Sequence, residues 1–182
     1  MSKLKAVLSE IDAVLDRMDT GAIADTAEKL AGEGRIFVVG EGRSGLMAKS
    51  FAMRMMHLGA EIFAVGETIT PSMAAEDTLV AVSGSGTTKN VLWVAERAKE
   101  LGCRIIAVTA NGQSPLGECA TDVLHLPAAT KYRREGEAAS IQPLGSLFDQ
   151  CVHLALDAVC LEYAALRDVD HHRAFQKHSN VE

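Results

Sequence analysis

Twice in this chain, a short apolar run leads into a turn of glycine and hydroxyl residues that opens a helical pattern. The first run, 35–39, precedes Gly40-Glu41-Gly42-Arg43-Ser44-Gly45. The second, 79–82, precedes Ser83-Gly84-Ser85-Gly86-Thr87-Thr88. Further apolar runs predict three more strands, near 61–65, 104–109 and 122–126. Because short strands that alternate with helices pair in parallel, we predict an α/β fold: a three-layer, doubly wound, five-stranded parallel sheet flanked by helices.

The second of these turns has the composition of a phosphate site. Its hydroxyls can donate hydrogen bonds, and Gly84 and Gly86 let the backbone approach a ligand closely. The start of the following helix adds unpaired N–H groups and the positive end of the helix dipole. An ordinary strand–helix turn capped by Ser or Thr would have a similar sequence, so that interpretation stays open.

The first turn matches the G-x-G-x-x-G spacing of dinucleotide-binding folds through its three glycines. The acidic residue expected about 20 positions later would be Glu61, which begins the next predicted strand instead of ending it. Two hydroxyl-bearing turns better suit one phosphate monoester held from two sides at the carboxyl edge of the sheet. We expect its ligands to be Ser44, Ser83, Ser85 and Thr88, the backbone N–H groups of Gly84, Gly86 and Thr87, and Arg43.

The composition excludes several classes of function. The 182 residues suit one domain, predicted to span 1–182, and a net charge of −6 provides no basic stripe for nucleic acid. No run of 18 apolar residues predicts a membrane span, and the first residues do not resemble a signal peptide. Because the four cysteines form no C-x-x-C pair and no zinc-like spacing, we expect reduced thiols, no bound metal and a cytoplasmic protein.

Three segments outside the strands indicate which parts of the chain are exposed and which contact another subunit. The polar loop 128–139 is either a solvated surface or a mobile segment near the substrate entrance. Residues 140–161 have a long apolar helical pattern, which we expect to be buried against another subunit together with the stripe from Leu4 to Met18. The polar residues from Val169 onward predict either a frayed tail or a segment that closes over a neighbouring subunit's site.

The pairing of G-x-G-R-S-G with S-G-S-G-T-T resembles the sugar isomerase (SIS) domain family, whose fold is flavodoxin-like. Further motifs resemble the 6-phospho-3-hexuloisomerases of that family, at residues 53–59, 65–71, 142–150 and 178–182. The resemblance runs from about residue 3 to the C-terminus. Two positions depart from the family pattern, because Thr87 and Asp149 each stand where the family usually has glutamate.

The resemblance implies an isomerase that interconverts D-arabino-3-hexulose 6-phosphate and fructose 6-phosphate through an enediol, with no metal or organic cofactor. It places the family's catalytic glutamate at Asp149, so this carboxylate would move the proton between adjacent carbons. His57 would be the acid/base partner, and His178 is a second candidate. The resemblance also implies a homotetramer with sites near subunit interfaces and a role in the ribulose monophosphate pathway.

Structural interpretations of these side chains remain open. Asp149 could simply stabilise its helix, because a negative charge near the helix start interacts well with the helix dipole. His57 could donate a hydrogen bond to the free carbonyls at the end of its helix. Glu67, which follows a predicted strand, is another carboxylate for the ligand edge. Two alternative functions also remain: an isomerase of another sugar phosphate, and a non-catalytic phosphosugar sensor. The sensor is less favoured because such modules accompany a DNA-binding helix-turn-helix, and no basic recognition helix is predicted here.

Overall fold

A computed structural model describes residues 2–32 and 34–181. Its strands are β1 (Ile36–Gly40), β2 (Ile62–Ala64), β3 (Thr78–Val82), β4 (Arg104–Thr109) and β5 (Asp122–His125). Its helices are α1 (Lys3–Leu15), α2 (Gly21–Leu30), α3 (Gly42–His57), α4 (Lys89–Glu100), α5 (Pro115–Cys119), α6 (Ser146–Leu166) and α7 (His171–Phe175). Among the described residues, no helix combines the length and the apolar character needed to cross a lipid bilayer.

The five strands form one parallel sheet in the order β2-β1-β3-β4-β5. The predicted doubly wound α/β fold is therefore confirmed. After β1 the chain moves outward to β2 and then returns to β3 on the other side, so the winding reverses between β1 and β3. Ligands of such sheets bind beyond the carboxyl ends of the strands at this reversal.

Both faces of the sheet are covered, which explains why its strands are apolar on both sides. On one face, Val38 and Val80 belong to a core that includes Phe51 of α3 and Phe148 of α6. On the other face, Phe37 and its neighbours pack with α4 and α5. Because side chains alternate along a strand, consecutive residues of β1 and β3 serve the two cores in turn.

Helix α6 differs from its prediction in where it begins. The apolar pattern indicated a helix from residue 140, but α6 begins at Ser146 and extends to Leu166. Pro143 and the left-handed backbone of Leu144, with φ of 52°, interrupt the helical geometry before it. Most apolar side chains of α6 are buried within its own chain, although Leu161 is 74% exposed. The chain's own core therefore buries most of the apolar side chains of α6.

The N-terminal prediction is closer to the structure. The apolar stripe predicted from Leu4 to Met18 falls mostly on α1, which ends at Leu15, and α2 begins at Gly21. The polar end of the chain forms the short helix α7, whose residues are all at least partly exposed. All four cysteines are buried and unlinked, and burial raises the pKa of both Cys151 and Cys160 to about 12.

Candidate active site

The two predicted turns begin side by side, because Gly40 and Val82 are partners in the β1–β3 register. The glycines of the first turn serve close packing: a Cβ on Gly45 would lie 2.6 Å from the carbonyl oxygen of Gly40. Gly42 has φ of 56°, a backbone that glycine adopts readily. The G-x-G-x-x-G spacing therefore brings the start of α3 against the end of β1.

A cleft of about 310 Å³ lies at this edge of the sheet. Four chain segments meet around it: the β1–α3 turn, the β3–α4 turn, the connection after β5, and the start of α6. The lining residues are Glu41, Gly42, Ser44, Gly84, Ser85, Thr88, Thr130, Lys131, Leu144, Gly145, Phe148 and Asp149. Four of the predicted phosphate residues, Ser44, Gly84, Ser85 and Thr88, are thus brought together.

Three helices begin at this cleft, and each has an N-cap residue in its lining: Glu41 for α3, Thr88 for α4 and Gly145 for α6. Among the described residues, no side chain caps any of these three N-termini. By contrast, Ser2 and Ser114 cap α1 and α5 with their hydroxyls. Amides in the first turn of a helix have no partner within the helix, so the three N-termini together favour an anion in the cleft.

The hydroxyls of the second turn form hydrogen bonds with one another. Ser83, which is buried behind the lining, shares a 2.9 Å hydrogen bond with the Thr88 hydroxyl. The Ser85 hydroxyl accepts hydrogen bonds from the backbone N–H and the hydroxyl of Thr87, at 3.2 and 3.0 Å. Ser83 and Thr87 therefore support the lining residues Thr88 and Ser85.

The glycines of the second turn are required by close contacts. A Cβ on Gly84 would lie 3.0 Å from the ring of Phe148, which forms part of the cleft wall. Gly86 has φ of 63°, and a Cβ there would lie 1.8 Å from the Ser114 hydroxyl. Gly84 thus leaves room for the Phe148 ring in the cleft wall. Gly86 does not line the cleft, and it allows the turn to pack against Ser114 at the start of α5.

Asp149 is the buried carboxylate of the cleft, with 5% of its surface exposed. It lies in the first turn of α6. The Ser44 hydroxyl donates to its Oδ1 at 2.8 Å, and Nε of Arg43 donates to its Oδ2 at 3.2 Å. Arg43 itself is mostly exposed and lies outside the lining. Arg43 and Ser44, two consecutive residues where β1 leads into α3, thus fix the orientation of the Asp149 carboxylate.

The connection after β5 contributes a cation that was not among the predicted site residues. Lys131 lines the cleft, and its Nζ lies 5.0 Å from the centre of the Tyr132 ring. The neighbouring lining residue Thr130 is held by Glu137, whose carboxylate accepts from the Thr130 backbone N–H and hydroxyl, both at 2.7 Å. Loop 128–139 thus contributes Thr130 and Lys131 to the cleft, whereas its sequence left open whether it was only a solvated surface.

The two predicted histidines lie elsewhere in the chain. His57 is the last residue of α3, whereas Ser44 lies in its first turn, so they are separated by about 20 Å along the helix. His57 is 5% exposed, and its ring stacks on that of His178 with 5.2 Å between centroids. Nδ1 of His57 has no hydrogen-bond partner among the described residues. Within one chain, the structure therefore does not bring His57 or His178 to Asp149.

Glu67 also lies outside the lining of the cleft. Its carboxylate forms an ion pair with Lys49, and both side chains are about half exposed. A charged residue that does line the cleft, Glu41, was not singled out from the sequence. Its Oε1 accepts a hydrogen bond of 2.5 Å from Nδ2 of Asn90, which links the two helix starts. Within the described residues, no group of His, Cys, Asp and Glu side chains is arranged to hold a metal ion.

Comparison with known proteins identifies the class. The model of the SIS domain family matches residues 29–154, and the chain therefore belongs to this family. It is 41% identical over 156 residues to the 3-hexulose-6-phosphate isomerase of Bacillus subtilis, covering 86% of this chain and 84% of the relative. It is 38% identical over 181 residues to the enzyme of that name from Mycobacterium gastri, covering 100% and 90%.

A solved structure agrees with these relatives. The fold is similar to the crystal structure of a Methanococcus jannaschii protein, from which a molecular function of 3-hexulose-6-phosphate isomerase was inferred. The TM-score is 0.86 at 30% identity, and the match covers 100% of both chains. The predicted resemblance to SIS isomerases is thus confirmed.

Proposed function

We propose that this chain is a phosphosugar isomerase that interconverts D-arabino-3-hexulose 6-phosphate and fructose 6-phosphate. The observation that carries the proposal is the buried Asp149 carboxylate, which lies in a cleft bordered by three helix N-termini and by hydroxyls. The relatives named 3-hexulose-6-phosphate isomerase, at 38% and 41% identity, support this substrate in particular.

The 6-phosphate binds where the β3–α4 turn and the helix starts meet. Ser85 and Thr88 donate their hydroxyls, and Gly84, Gly86 and Thr87 belong to the turn whose amides assist. Ser44 and Arg43 approach from the other side, while Ser83 keeps Thr88 in place. Lys131 adds a positive charge to the lining. Hydrogen bonds to an ionised phosphate are each worth about 1.5–3 kcal/mol, so a few of them hold the substrate.

Asp149 acts as the general base on the sugar. It removes the proton from carbon 3 of fructose 6-phosphate, which gives an enediol shared by carbons 2 and 3, and it returns the proton to carbon 2. Nε of Arg43 donates to the Asp149 carboxylate and so keeps this base oriented during the proton transfer. The aspartate is one methylene shorter than the glutamate usual at this position, and its two donors hold it in a fixed orientation.

Isomerisation also moves a proton between the oxygens on carbons 2 and 3, which requires a second acid/base. His57 suits this role chemically, but it lies about 20 Å from its own chain's Ser44 along α3. The proposal therefore places His57 of one subunit at the cleft of another, with His178 stacked on it. Exposed apolar side chains on α3, Leu46, Met53 and Met56, support contact between subunits in a homotetramer.

The reaction takes place in the cytoplasm and needs no cofactor. Four buried, unlinked cysteines suit the cytoplasm. Proton transfer by carboxylate and imidazole requires neither a metal nor an organic cofactor. The reaction would serve the ribulose monophosphate pathway, in which a 3-hexulose phosphate and fructose 6-phosphate are interconverted.

Incubation of fructose 6-phosphate with the protein in deuterated water tests this proposal. Label at carbon 3, together with formation of the 3-hexulose phosphate, is the expected result. Label at carbon 1 would instead indicate an aldose–ketose isomerase acting on another carbon pair. Tight binding without any label would indicate a sensor, and either of these results would overturn the proposed reaction.

A further inference from the structure

We propose that Glu10, on helix α1, is a positioning residue for the cleft. Its carboxylate holds the segment 140–145, which forms one wall of the cleft and leads into the helix that carries Asp149. The inference rests on the proposed function to the extent that its effect on turnover is measured through the isomerase reaction.

The Glu10 carboxylate accepts three hydrogen bonds from this one segment. Its Oε2 accepts from the Ser140 hydroxyl at 2.8 Å and from Nε2 of Gln142 at 3.0 Å. Its Oε1 accepts from the backbone N–H of Ile141 at 2.7 Å. Although partial burial acts to raise it, hydrogen bonds from Ile141, Gln142 and Ser140 lower the pKa of Glu10 below its ordinary value. The contact is therefore made by a charged carboxylate, whose hydrogen bonds are stronger than neutral ones.

The segment needs support from outside itself. Leu144 has φ of 52°, a left-handed conformation that is unfavourable for a residue that carries a Cβ. Pro143 has no N–H to donate. Yet Leu144 and Gly145 both line the cleft, and Gly145 is the N-cap of α6. A displacement of this segment would shift the amides that open α6 and, one turn later, Asp149.

A second set of contacts ties the same region together. Gln142 is 8% exposed, and its backbone carbonyl accepts a hydrogen bond from the Arg133 guanidinium. Arg17 donates to the carbonyl of Gly136 at 3.1 Å. Glu10 lies in α1, and Arg17 lies in the turn that follows the end of this helix at Leu15. The N-terminal segment thus holds the connection between β5 and α6 at two points, and Thr130, Lys131, Leu144 and Gly145 reach the cleft from that connection.

The matched experiment compares Glu10→Ala and Glu10→Gln with Asp12→Ala, which removes an exposed acid from the same helix. Three properties are measured: kcat and KM for carbon-3 proton exchange, the dissociation constant of fructose 6-phosphate, and amide hydrogen exchange by mass spectrometry. Thermal unfolding of each variant confirms that it is folded at the assay temperature. A role limited to stability would lower the unfolding temperature but leave kcat per folded molecule unchanged.

We expect Glu10→Ala to lower kcat by about tenfold to a hundredfold, because small misplacements of a reacting group have effects of this size. Its fructose 6-phosphate affinity should weaken several-fold, and amides of residues 141–146 should exchange faster while those of β3 stay protected. Glu10→Gln, which keeps one oxygen acceptor, should lie between Glu10→Ala and the wild type. Asp12→Ala should match the wild type.

A folded Glu10→Ala variant with wild-type kcat would overturn the inference. If the wild-type protein itself exchanged no carbon-3 proton, the proposed function would fail by that result alone. The role of Glu10 would then be decided by the other two measurements. Faster exchange in residues 141–146 together with weaker fructose 6-phosphate binding would support it, and wild-type values of both would overturn it.

Discussion

The Ser44 hydroxyl donates its only proton to Oδ1 of Asp149, at 2.8 Å, in the cleft where both were expected to serve a phosphosugar. A serine hydroxyl has one O–H donor, so Ser44 cannot donate to this carboxylate and to a phosphate at the same time. If Ser44 binds the substrate phosphate, its proton leaves Asp149 when substrate arrives. The carboxylate would then lose one of its two donors, which leaves Oδ1 free to accept a proton from the substrate.

Replacement of Ser44 by alanine tests this exchange of partners. We expect Ser44→Ala to weaken fructose 6-phosphate binding by about 1–3 kcal/mol, the cost of leaving a buried polar group without its hydrogen-bond partner. Isothermal titration calorimetry gives the affinity, and the proton-exchange assay gives kcat. Wild-type affinity combined with a reduced kcat would show that Ser44 serves Asp149 alone and would remove it from the phosphate site.

The second turn makes a separate prediction. Ser85 lines the cleft, so Ser85→Ala should weaken phosphosugar binding by about 1–3 kcal/mol. Ser83→Ala should weaken it as well, since the Thr88 hydroxyl would lose its 2.9 Å partner. The exposed Ser72 provides the control, because Ser72→Ala removes a hydroxyl that is outside the lining. Equal affinities for all three variants and the wild type would contradict the assignment of this turn to the phosphate.

The buried histidine predicts how stability depends on pH. Burial, and then the positive charges of Arg54 and His178, lower the pKa of His57 below its ordinary value of 6.5. The unfolded chain therefore binds more protons than the folded chain between the two pKa values. As a result, the free energy of unfolding decreases as the pH falls from about 6.5 through the folded-state pKa.

Chemical denaturation at pH 7.5 and 5.5 measures this effect. The loss of stability between the two pH values should be smaller in His57→Leu than in the wild type. The positive groups that line the pocket beside His57, Arg167, Arg173 and Lys177, remain in place in this variant. The exposed His171 offers a control, and His171→Ala should keep the wild-type pH dependence. An unchanged pH dependence in His57→Leu would mean that His57 does not cause it.

Mixing of inactive variants tests whether a site is shared between subunits. Asp149→Asn removes the base, and His57→Ala removes the imidazole at the opposite end of α3. If one subunit supplies His57 to the cleft of another, unfolding and refolding the two variants together should restore part of the proton-exchange activity, because mixed oligomers contain some intact sites. Light scattering establishes the oligomer mass. No recovery in mixed oligomers, or a mass near that of one 19.4 kDa chain, would contradict a shared site.

Local patterns predicted the sheet and the meeting of the two hydroxyl-bearing turns at one edge, but not the rest of the cleft. Gly40 and Val82 end adjacent strands, so two turns that are 43 residues apart in sequence meet by the topology of any such sheet. Lys131 and Leu144 reach the cleft from an irregular connection, whose path depends on tertiary contacts such as those of Glu10 and Glu137. Their sequence carries no periodic signal that would place them there.

The predicted pairing of Asp149 with His57 shows that the sequence does not predict the distance between two chemically suitable side chains. Both residues were identified as chemically suitable side chains, and the sequence places them near the beginning and the end of separate helices. Because α3 and α6 pack together over several turns, residues at opposite ends stay far apart in one chain. Only the three-dimensional arrangement shows that a partnership between them requires a second subunit.

The shortened carboxylate offers its own comparison. Asp149→Glu introduces the glutamate that the family resemblance led us to expect here, and it extends the carboxylate by about 1.5 Å, one carbon–carbon bond. If Asp149 is the base and its shorter reach limits turnover, carbon-3 proton exchange should increase in this variant. A strong decrease would indicate that the contacts of Ser44 and Arg43 have adapted to aspartate.

The most direct test of the account is the rate of deuterium incorporation at carbon 3 of fructose 6-phosphate, compared between the wild type and Asp149→Asn. The amide keeps the shape of the side chain but removes its basic oxygen. We therefore expect the exchange rate to fall by at least about a hundredfold, the usual range for loss of a general base, while phosphosugar affinity changes little. Wild-type exchange by folded Asp149→Asn would contradict the assignment of Asp149 as the base.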